Sequence, residues 1–189
     1  MNNRRSGFSL LELIIVIVII GLLASAALPK MFAVIDDAKQ VSIETVASGF
    51  SAGVLAARTQ WEAKNRPTVT DGGEKYNAVN YDGTEFWLTR ATTSSGSETG
   101  FRDGYPIRLK NSGYSETVTD QSCIDLMENL LQQPPRVGTV AEATSNSNIK
   151  YAAQADAANS TCRYVQQEKS TAHQFVYELK TGRVAVILK

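Results

Sequence analysis

One apolar segment near the start of the chain constrains its fold more than any other feature. Residues 8–28 contain a single ionisable side chain, that of Glu12. As a helix rising about 1.5 Å per residue, the segment covers about 30 Å, the hydrocarbon thickness of a bilayer. Arg4 and Arg5 precede it without an acid. The positive-inside rule therefore predicts a cytoplasmic N-terminus and an exported remainder.

Glu12 decides between several interpretations of this segment. Ala24, Ser25 and Ala26 resemble a signal-peptidase site, which would release a mature protein starting at Ala27. A twin-arginine signal and a plain membrane anchor are further alternatives. A carboxylate inside the apolar run costs about 2.5–3.5 kcal/mol at mid-membrane. None of these three alternatives explains that cost.

The stretch "SGFSLLEL" resembles the class III signal of type IV pilins and pseudopilins. In that family a short basic leader ends in glycine, a phenylalanine follows, and a glutamate stands four residues further on. The resemblance implies a cleaved leader, residues 1–7, cut between Gly7 and Phe8 by prepilin peptidase. It also implies methylation of the new amino group of Phe8 and retention of residues 8–28 as a transmembrane and assembly helix.

Three partners are open to the Glu12 carboxylate. It lies one turn from the Phe8 amine on the same helix, and in a bundle of such helices it can meet a neighbour's amine instead. It can also extend to the lipid headgroups. The resemblance favours the neighbour, which makes Glu12 an assembly residue.

The helix is expected to continue as an amphipathic segment, residues 29–64, ending before Pro67. Gly21 and Pro29 weaken it locally and predict a flexible joint between them. Apolar side chains at helical spacing predict a buried stripe for a head domain. They are Ile43, Val46, Phe50, Val54, Ala57 and Trp61. Gly49 and Gly53 either permit close approach of another element or only weaken the helix. The opposite face, which includes Arg58, is expected to be solvated.

Residues 65–189 consist of short β-type runs separated by turn residues, a pattern that predicts a β-rich head. The best strands are 85–90, 105–110, 174–180 and 183–189, with a hairpin turn at Thr181-Gly182. Apolar residues 124–131 have helical spacing, and residues 141–161 are expected to form a long surface loop. The predicted class is therefore α+β, a long N-terminal helix packed on an antiparallel sheet in a pilin-like arrangement.

Cys123 and Cys162 are the two cysteines, and no CxxC pair is present. An exported domain would lie in an oxidising compartment, which favours a disulfide over two buried thiols. Pilins of the resembling family commonly carry such a bond around a variable loop near the C-terminus. Here 27 residues follow Cys162, so the loop would not be terminal.

Catalytic and ligand-binding signals are weak. His173 is the one histidine and is expected on the surface or in a strand. The Asp-Gly steps at 71–72, 82–83 and 103–104 are interpreted as turns rather than calcium ligands. Lysine plus arginine equals aspartate plus glutamate at 19 each, which argues against nucleic-acid binding. Neither an enzyme nor a cofactor or metal site is predicted, and the sequon at 159–161 carries no prediction of glycosylation.

The resulting hypothesis is a structural pilus subunit serving surface attachment. Its expected partners are identical or related pilin subunits, prepilin peptidase/methyltransferase and the assembly machinery of the inner membrane. Before assembly it would span the inner membrane, and afterwards it would be extracellular. "ALPK" and "GYP" most resemble pilins of the mannose-sensitive haemagglutinin (MSHA) type. The alternatives are a type II secretion or competence pseudopilin and a membrane-tethered periplasmic enzyme or sensor.

Overall fold

The computed structural model describes residues 8–167 and 172–189, with the backbone alone at positions 32 and 33. The chain forms two compact units, one ending at Lys39 and one from Gln40 to Lys189. The second unit is called the head below. Helix α1, Leu10–Ala63, contributes to both units.

Helix α1 ends where the sequence predicts. The amide N–H of Asn65 donates to the Glu62 carbonyl oxygen at 3.0 Å, and that of Arg66 donates to the Trp61 carbonyl oxygen at 2.9 Å. Both Asn65 and Arg66 have positive φ. These bonds satisfy carbonyl groups left free at the end of the helix, and Pro67 then prevents its continuation.

The apolar stripe on α1 is the part that the helix contributes to the core of the head, as predicted. Ile43, Phe50, Val54, Ala57 and Trp61 are buried, with Ala47 as a further member and Val46 half-buried. Phe50 contacts the rings of Tyr164, Phe175 and Tyr177, with centroids 5.3–5.7 Å apart. The spacing of three to four residues therefore identifies the face that packs on the sheet.

The prediction of a solvated opposite face is wrong at Arg58. Its guanidinium carbon lies 4.6 Å from the centroid of the Tyr105 ring, and its Nη1 donates to the Tyr105 hydroxyl. The long aliphatic stem allows an arginine beside the stripe to cover apolar surface while keeping its charge near water.

Four antiparallel strands follow α1 in the order in which they occur along the chain. They are β1 Thr68–Asp71, β2 Glu74–Tyr81, β3 Thr84–Leu88 and β4 Pro106–Leu109. The expected turns are present between them: Asp82 and Gly83, with φ of 48° and 85°, connect β2 to β3. Strands β1 and β2 were not among the predicted strands.

The second sheet has five strands, again in chain order. They are β5 Val137–Thr139, β6 Tyr151–Asp156, β7 Thr161–Gln166, β8 Gln174–Glu178 and β9 Arg183–Ile187. Helix α2, Asp120–Leu130, precedes the sheet and α3, Val140–Ser145, connects its first two strands. Because this connection is a helical crossover, β5 pairs with β6 in parallel, whereas the other pairs are antiparallel.

The prediction of a surface loop at residues 141–161 is wrong. This stretch contains most of α3 and all of β6, whose Tyr151, Ala152 and Ala153 are buried. Alanine has a weak intrinsic preference for strands, so the segment lacks the β-branched signal that marks the others. Burial against the sheet decides its conformation instead. The α+β class and the packing of the helix on antiparallel sheets are confirmed.

Candidate functional site

Ser9 and Glu12 form a reciprocal pair at the start of α1. The Glu12 Oε2 accepts hydrogen bonds from the Ser9 amide N–H at 3.1 Å and from the Ser9 hydroxyl at 3.2 Å. The Glu12 amide N–H donates to the Ser9 Oγ at 3.2 Å. This arrangement is a capping box, in which two free amide groups of the first helical turn are satisfied by side chains.

Ser9 is a functional candidate that the sequence interpretation missed. The signal was present, because a serine followed three residues later by a glutamate before an apolar run indicates a capping box. The structure thus adds a fourth partner for the Glu12 carboxylate, within its own chain. It also explains how the acid is held when no second subunit is present.

The residues around this pair expose apolar surface. Phe8 is 83% exposed, and large apolar side chains continue along α1 from Leu10 to Met31 with at least 44% of each exposed. The helix is long and apolar enough to cross a membrane by length and composition. An exposed apolar surface of this extent requires lipid or protein to cover it. Gly7, the other half of the expected cleavage site, lies outside the described residues.

Gly21 and Pro29, the expected joint, both lie within continuous helix. A β-carbon placed on Gly21 would meet no atom within 4 Å. Packing within the single chain therefore does not require a glycine here. Its effect is to lower the local preference for helix, by about 1 kcal/mol relative to alanine, about two turns before a proline that lacks an amide donor.

The disulfide between Cys123 and Cys162 is present, with 5.5 Å between the α-carbons and both side chains fully buried. Cys123 lies on α2 and Cys162 on β7. The Tyr164 hydroxyl donates to the Cys123 carbonyl oxygen at 2.7 Å beside the bond. The bond therefore ties α2 to the five-stranded sheet and encloses β5, α3 and β6.

His173 was expected on the surface or in a strand; it is buried and directly precedes β8, so it occupies neither position. Its Nδ1 accepts a hydrogen bond from the Lys189 amide N–H at 3.0 Å. The imidazole thereby fixes the C-terminal residue after β9. Within residues 8–167 and 172–189, no group of three or more histidine, cysteine or acidic side chains is placed to hold a metal ion.

Comparison with known proteins yields two findings. Residues 2–28 match the family model described as the prokaryotic N-terminal methylation motif. The chain is also 40% identical over 65 residues to the type IV narrow pilus major component PilA5 of Thermus thermophilus. That region is 34% of this chain and 54% of the relative, so the chain spans about half the length of the curated relative it matches. No solved structure matches the chain. The motif and the relative support the type IV pilin family and a pilin or pseudopilin subunit.

Proposed function

We propose that the chain is a subunit of a type IV pilus that polymerises through its apolar N-terminal helix. The observation that carries the proposal is the placement of Phe8 and Glu12. One carboxylate stands at the start of a long apolar helix, in which Lys30 is the one other charged side chain from Leu10 to Met31. A membrane anchor alone gains nothing from that acid, whereas a packed bundle of such helices can pair it with a cation.

Processing supplies the cation. We propose that residues 1–7 are removed between Gly7 and Phe8, which creates an amine at the start of α1. Methylation of this amine leaves it basic. The amine stands where the free amide groups of the first turn already produce positive partial charge, so an adjacent carboxylate stabilises it. The match of residues 2–28 to the methylation motif supports this step.

The capping box positions the Glu12 carboxylate for the proposed contact between subunits. Ser9 contributes two donors to the Glu12 Oε2 in the single chain. A carboxylate has about four acceptor positions, so the amine of a neighbouring subunit can bind the remaining oxygen without breaking the cap. The carboxylate is therefore held in a fixed direction before the neighbour arrives, which lowers the entropy lost on assembly.

The proposal also gives the location of the chain relative to the inner membrane. Before assembly α1 would cross the inner membrane at residues 8–28 with the leader in the cytoplasm. Residues 29–64 would then lead into the β-rich residues 65–189 on the other side. Prepilin peptidase, the assembly machinery and other pilin subunits are its partners. Surface attachment and the MSHA subtype rest on the resemblance alone.

Mass spectrometry of the protein isolated from its native cells tests the processing step. The expected mature chain begins at Phe8 with one additional methyl group on its amine. A chain that begins at Met1 would indicate a permanent tether for an enzyme or sensor domain. A chain that begins at Ala27 would indicate a secreted domain released by signal peptidase. Either result contradicts the proposal, because no cationic terminus would then stand beside Glu12.

A pseudopilin is the second candidate, since it would share the same N-terminal motif. PilA5, the relative in Thermus thermophilus, is described as the major component of a narrow pilus, which favours the pilus. Electron microscopy of sheared surface fibres distinguishes the two. Long extracellular filaments that contain this chain support a pilus, whereas recovery only in short periplasmic assemblies supports a pseudopilin.

A further inference from the structure

Strand β9 forms one edge of the five-stranded sheet in the head. Within the described residues it pairs with β8 on one side and with no strand on the other. The opposite edge of the sheet, β5, is contacted by α2 and α3. In an antiparallel pair every second residue of an edge strand directs its amide and carbonyl groups away from the neighbouring strand. The outer edge of β9 therefore offers backbone groups with which an added strand can pair.

A groove of about 390 Å³ lies between β9 and α1. Its wall on α1 consists of small residues and Leu55, which is 53% exposed, and its wall on β9 consists of Val184 and Val186. Val184 and Val186 stand two residues apart, so the groove lies on one face of the sheet. A strand added about 4.8 Å beyond β9 would direct every second side chain to that face. Because no lining side chain is charged, the groove fits apolar side chains at these alternate positions.

Free backbone groups favour an extended partner over a helical one. The amide and carbonyl groups of a helix are already paired within the helix, so a helix in the groove would leave the outer edge of β9 unsatisfied. An extended segment pairs with that edge and fills the groove at the same time. It would also cover Leu55, whose apolar surface is otherwise left in water.

The charges of β9 select among extended partners. Arg183 is the first residue of the strand, Lys189 follows two positions after its end, and residues 184–188 between them are apolar. Both cations are exposed. Antiparallel pairing with β9 of a second copy would bring Arg183 opposite Lys189, and parallel pairing would bring each cation beside its own copy. Like charges placed opposite each other destabilise a sheet, whereas opposite charges stabilise it. The edge therefore disfavours a second β9 and favours a strand with an acid at each end.

We propose that β9 and the groove beside it bind an extended segment of a partner protein, with apolar side chains at alternate positions and an acidic residue at each end. Backbone pairing with β9 contributes affinity, and the groove and the two cations contribute selectivity. The site goes beyond the proposed polymerisation. All of its residues belong to the head, so binding does not depend on filament assembly.

The test uses the full-length chain in detergent micelles, titrated with the peptide acetyl-EVTVTVE-amide and followed by ¹H–¹⁵N NMR. We expect saturable shifts at the amides of Val184, Val186 and Leu55. The peptide acetyl-EVPPTVE-amide has the same charge, but its adjacent prolines remove a donor in either register of pairing, so it should bind about tenfold more weakly or less. Equal binding of the two peptides, shifts confined to other parts of the head, or no saturable shift would each overturn the proposal.

Matched variants locate the groove. Leu55→Gln changes its wall, and Val140→Gln changes a similarly exposed apolar residue on α3. We expect Leu55→Gln to weaken binding of acetyl-EVTVTVE-amide about fivefold or more and Val140→Gln to leave it unchanged. Circular dichroism must show the same folded content in both. If the two variants bind the peptide equally well, the groove takes no part in binding.

The role of the cations has its own control. The wild type should prefer acetyl-EVTVTVE-amide to acetyl-KVTVTVK-amide, and Arg183→Gln with Lys189→Gln should abolish that preference. Arg136→Gln with Lys150→Gln, which changes two exposed cations elsewhere on the head, should retain it. A preference that survives the first pair of changes would contradict the acidic ends proposed for the partner.

Dilution of the chain without peptide tests a second copy as the occupant. We expect the amide shifts of Val184 and Val186 to be independent of the chain concentration, because the cations of two β9 strands repel each other. Shifts at these residues that change with concentration would place a second copy on β9 and overturn the assignment to a partner protein.

Discussion

The backbone of Gly53 on α1 lies directly against the carbonyl oxygen of Leu130 at the end of α2. A β-carbon at position 53 would overlap that oxygen, and the Leu130 carbonyl carbon would lie 3.1 Å from it. A β-carbon placed on Gly49, one turn earlier, would lie 3.1 Å from the Leu131 Cδ2. The two glycines therefore permit close packing of α2 on α1, one of the two roles open to them in the sequence.

Gly53→Ala should destabilise the head, because the new methyl group meets backbone that cannot move without displacing α2. We expect the free energy of unfolding to fall by about 1–3 kcal/mol. Gly49→Ala is the matched control, since it meets only the end of a flexible side chain and gains helix preference, about 1 kcal/mol. Denaturant unfolding of the full chain in detergent, followed by the fluorescence of Trp61 and Trp87, measures both. Equal stability of the two variants would show that α2 does not approach α1 at Gly53.

Three substitutions should separate the two roles of Glu12 in assembly. Glu12→Gln removes the charge but retains a side chain that can cap the helix, since glutamine also serves at this position of a capping box. Ser9→Ala removes the cap but retains the charge. Glu12→Val removes both. If an intersubunit ion pair sets the packing, Ser9→Ala assembles while Glu12→Gln and Glu12→Val do not.

Counting surface filaments by electron microscopy measures this outcome, with subunit amounts in the membrane fraction as the control for expression. The reverse result, in which Glu12→Gln assembles and Ser9→Ala fails, would mean that helix capping is the contribution of Glu12. Normal filaments in all three variants would remove Glu12 from assembly altogether.

Removing the disulfide should destabilise the head strongly. Cys123 and Cys162 are separated by 39 positions, and a crosslink over this length contributes about 4 kcal/mol in the chain-entropy model. We expect the double variant with serine at both positions to lose stability of this order, measured by denaturant unfolding. Reduction of the unfolded wild-type chain should reproduce the loss. Because both sulfur atoms are buried, the folded wild type should resist the same reductant; rapid reduction of the folded chain would contradict the buried position.

Glu74 should make the stability of the head sensitive to acid. The hydrogen bond from Arg90, then those from Ser94, lower the pKa of this carboxyl below its usual value of 4.5. The unfolded chain therefore binds the proton more tightly than the folded chain. The stabilisation is present above pH 4.5 and is lost as the pH falls through the lower pKa of the folded state.

Glu74→Gln should reduce this loss, so that its free energy of unfolding changes less between pH 5 and pH 3 than that of the wild type. Glu98→Gln is the control, since Glu98 is an exposed acid for which no side-chain hydrogen bond occurs among the described residues. The pH dependence of denaturant unfolding checks both. Parallel curves for wild type and Glu74→Gln would show that the Arg90 contact does not hold the folded carboxylate.

Part of the candidate site can be predicted from residues that lie close together in the sequence. The apolar run, the isolated acid at Glu12 and the stop before Pro67 depend on local spacing, and the structure contains each element where the spacing predicts it. The pairing of Ser9 with Glu12 has an equally local signal. That signal is the serine three residues before the glutamate, ahead of an apolar run.

Several positions in the head could not be predicted from local sequence. The alanine-rich residues 151–153 form a buried strand, His173 is buried beside Lys189, and Arg58 rests on Tyr105. None of these positions follows from local preference, because each depends on an element distant in the sequence. The parallel pairing of β5 with β6 likewise depends on how α3 crosses between them.

Hydrophobic periodicity and turn residues act over a few positions, so the order of residues was enough to predict an acid-bearing apolar helix, its amphipathic continuation and a β-rich remainder. The bond between Cys123 on α2 and Cys162 on β7, and the stacking of Arg90 on Tyr76 beside a cavity, are seen in the folded chain alone. Such contacts arise from burial in a shared core. The free energy of that burial is summed over residues far apart in the chain, so no local pattern specifies them.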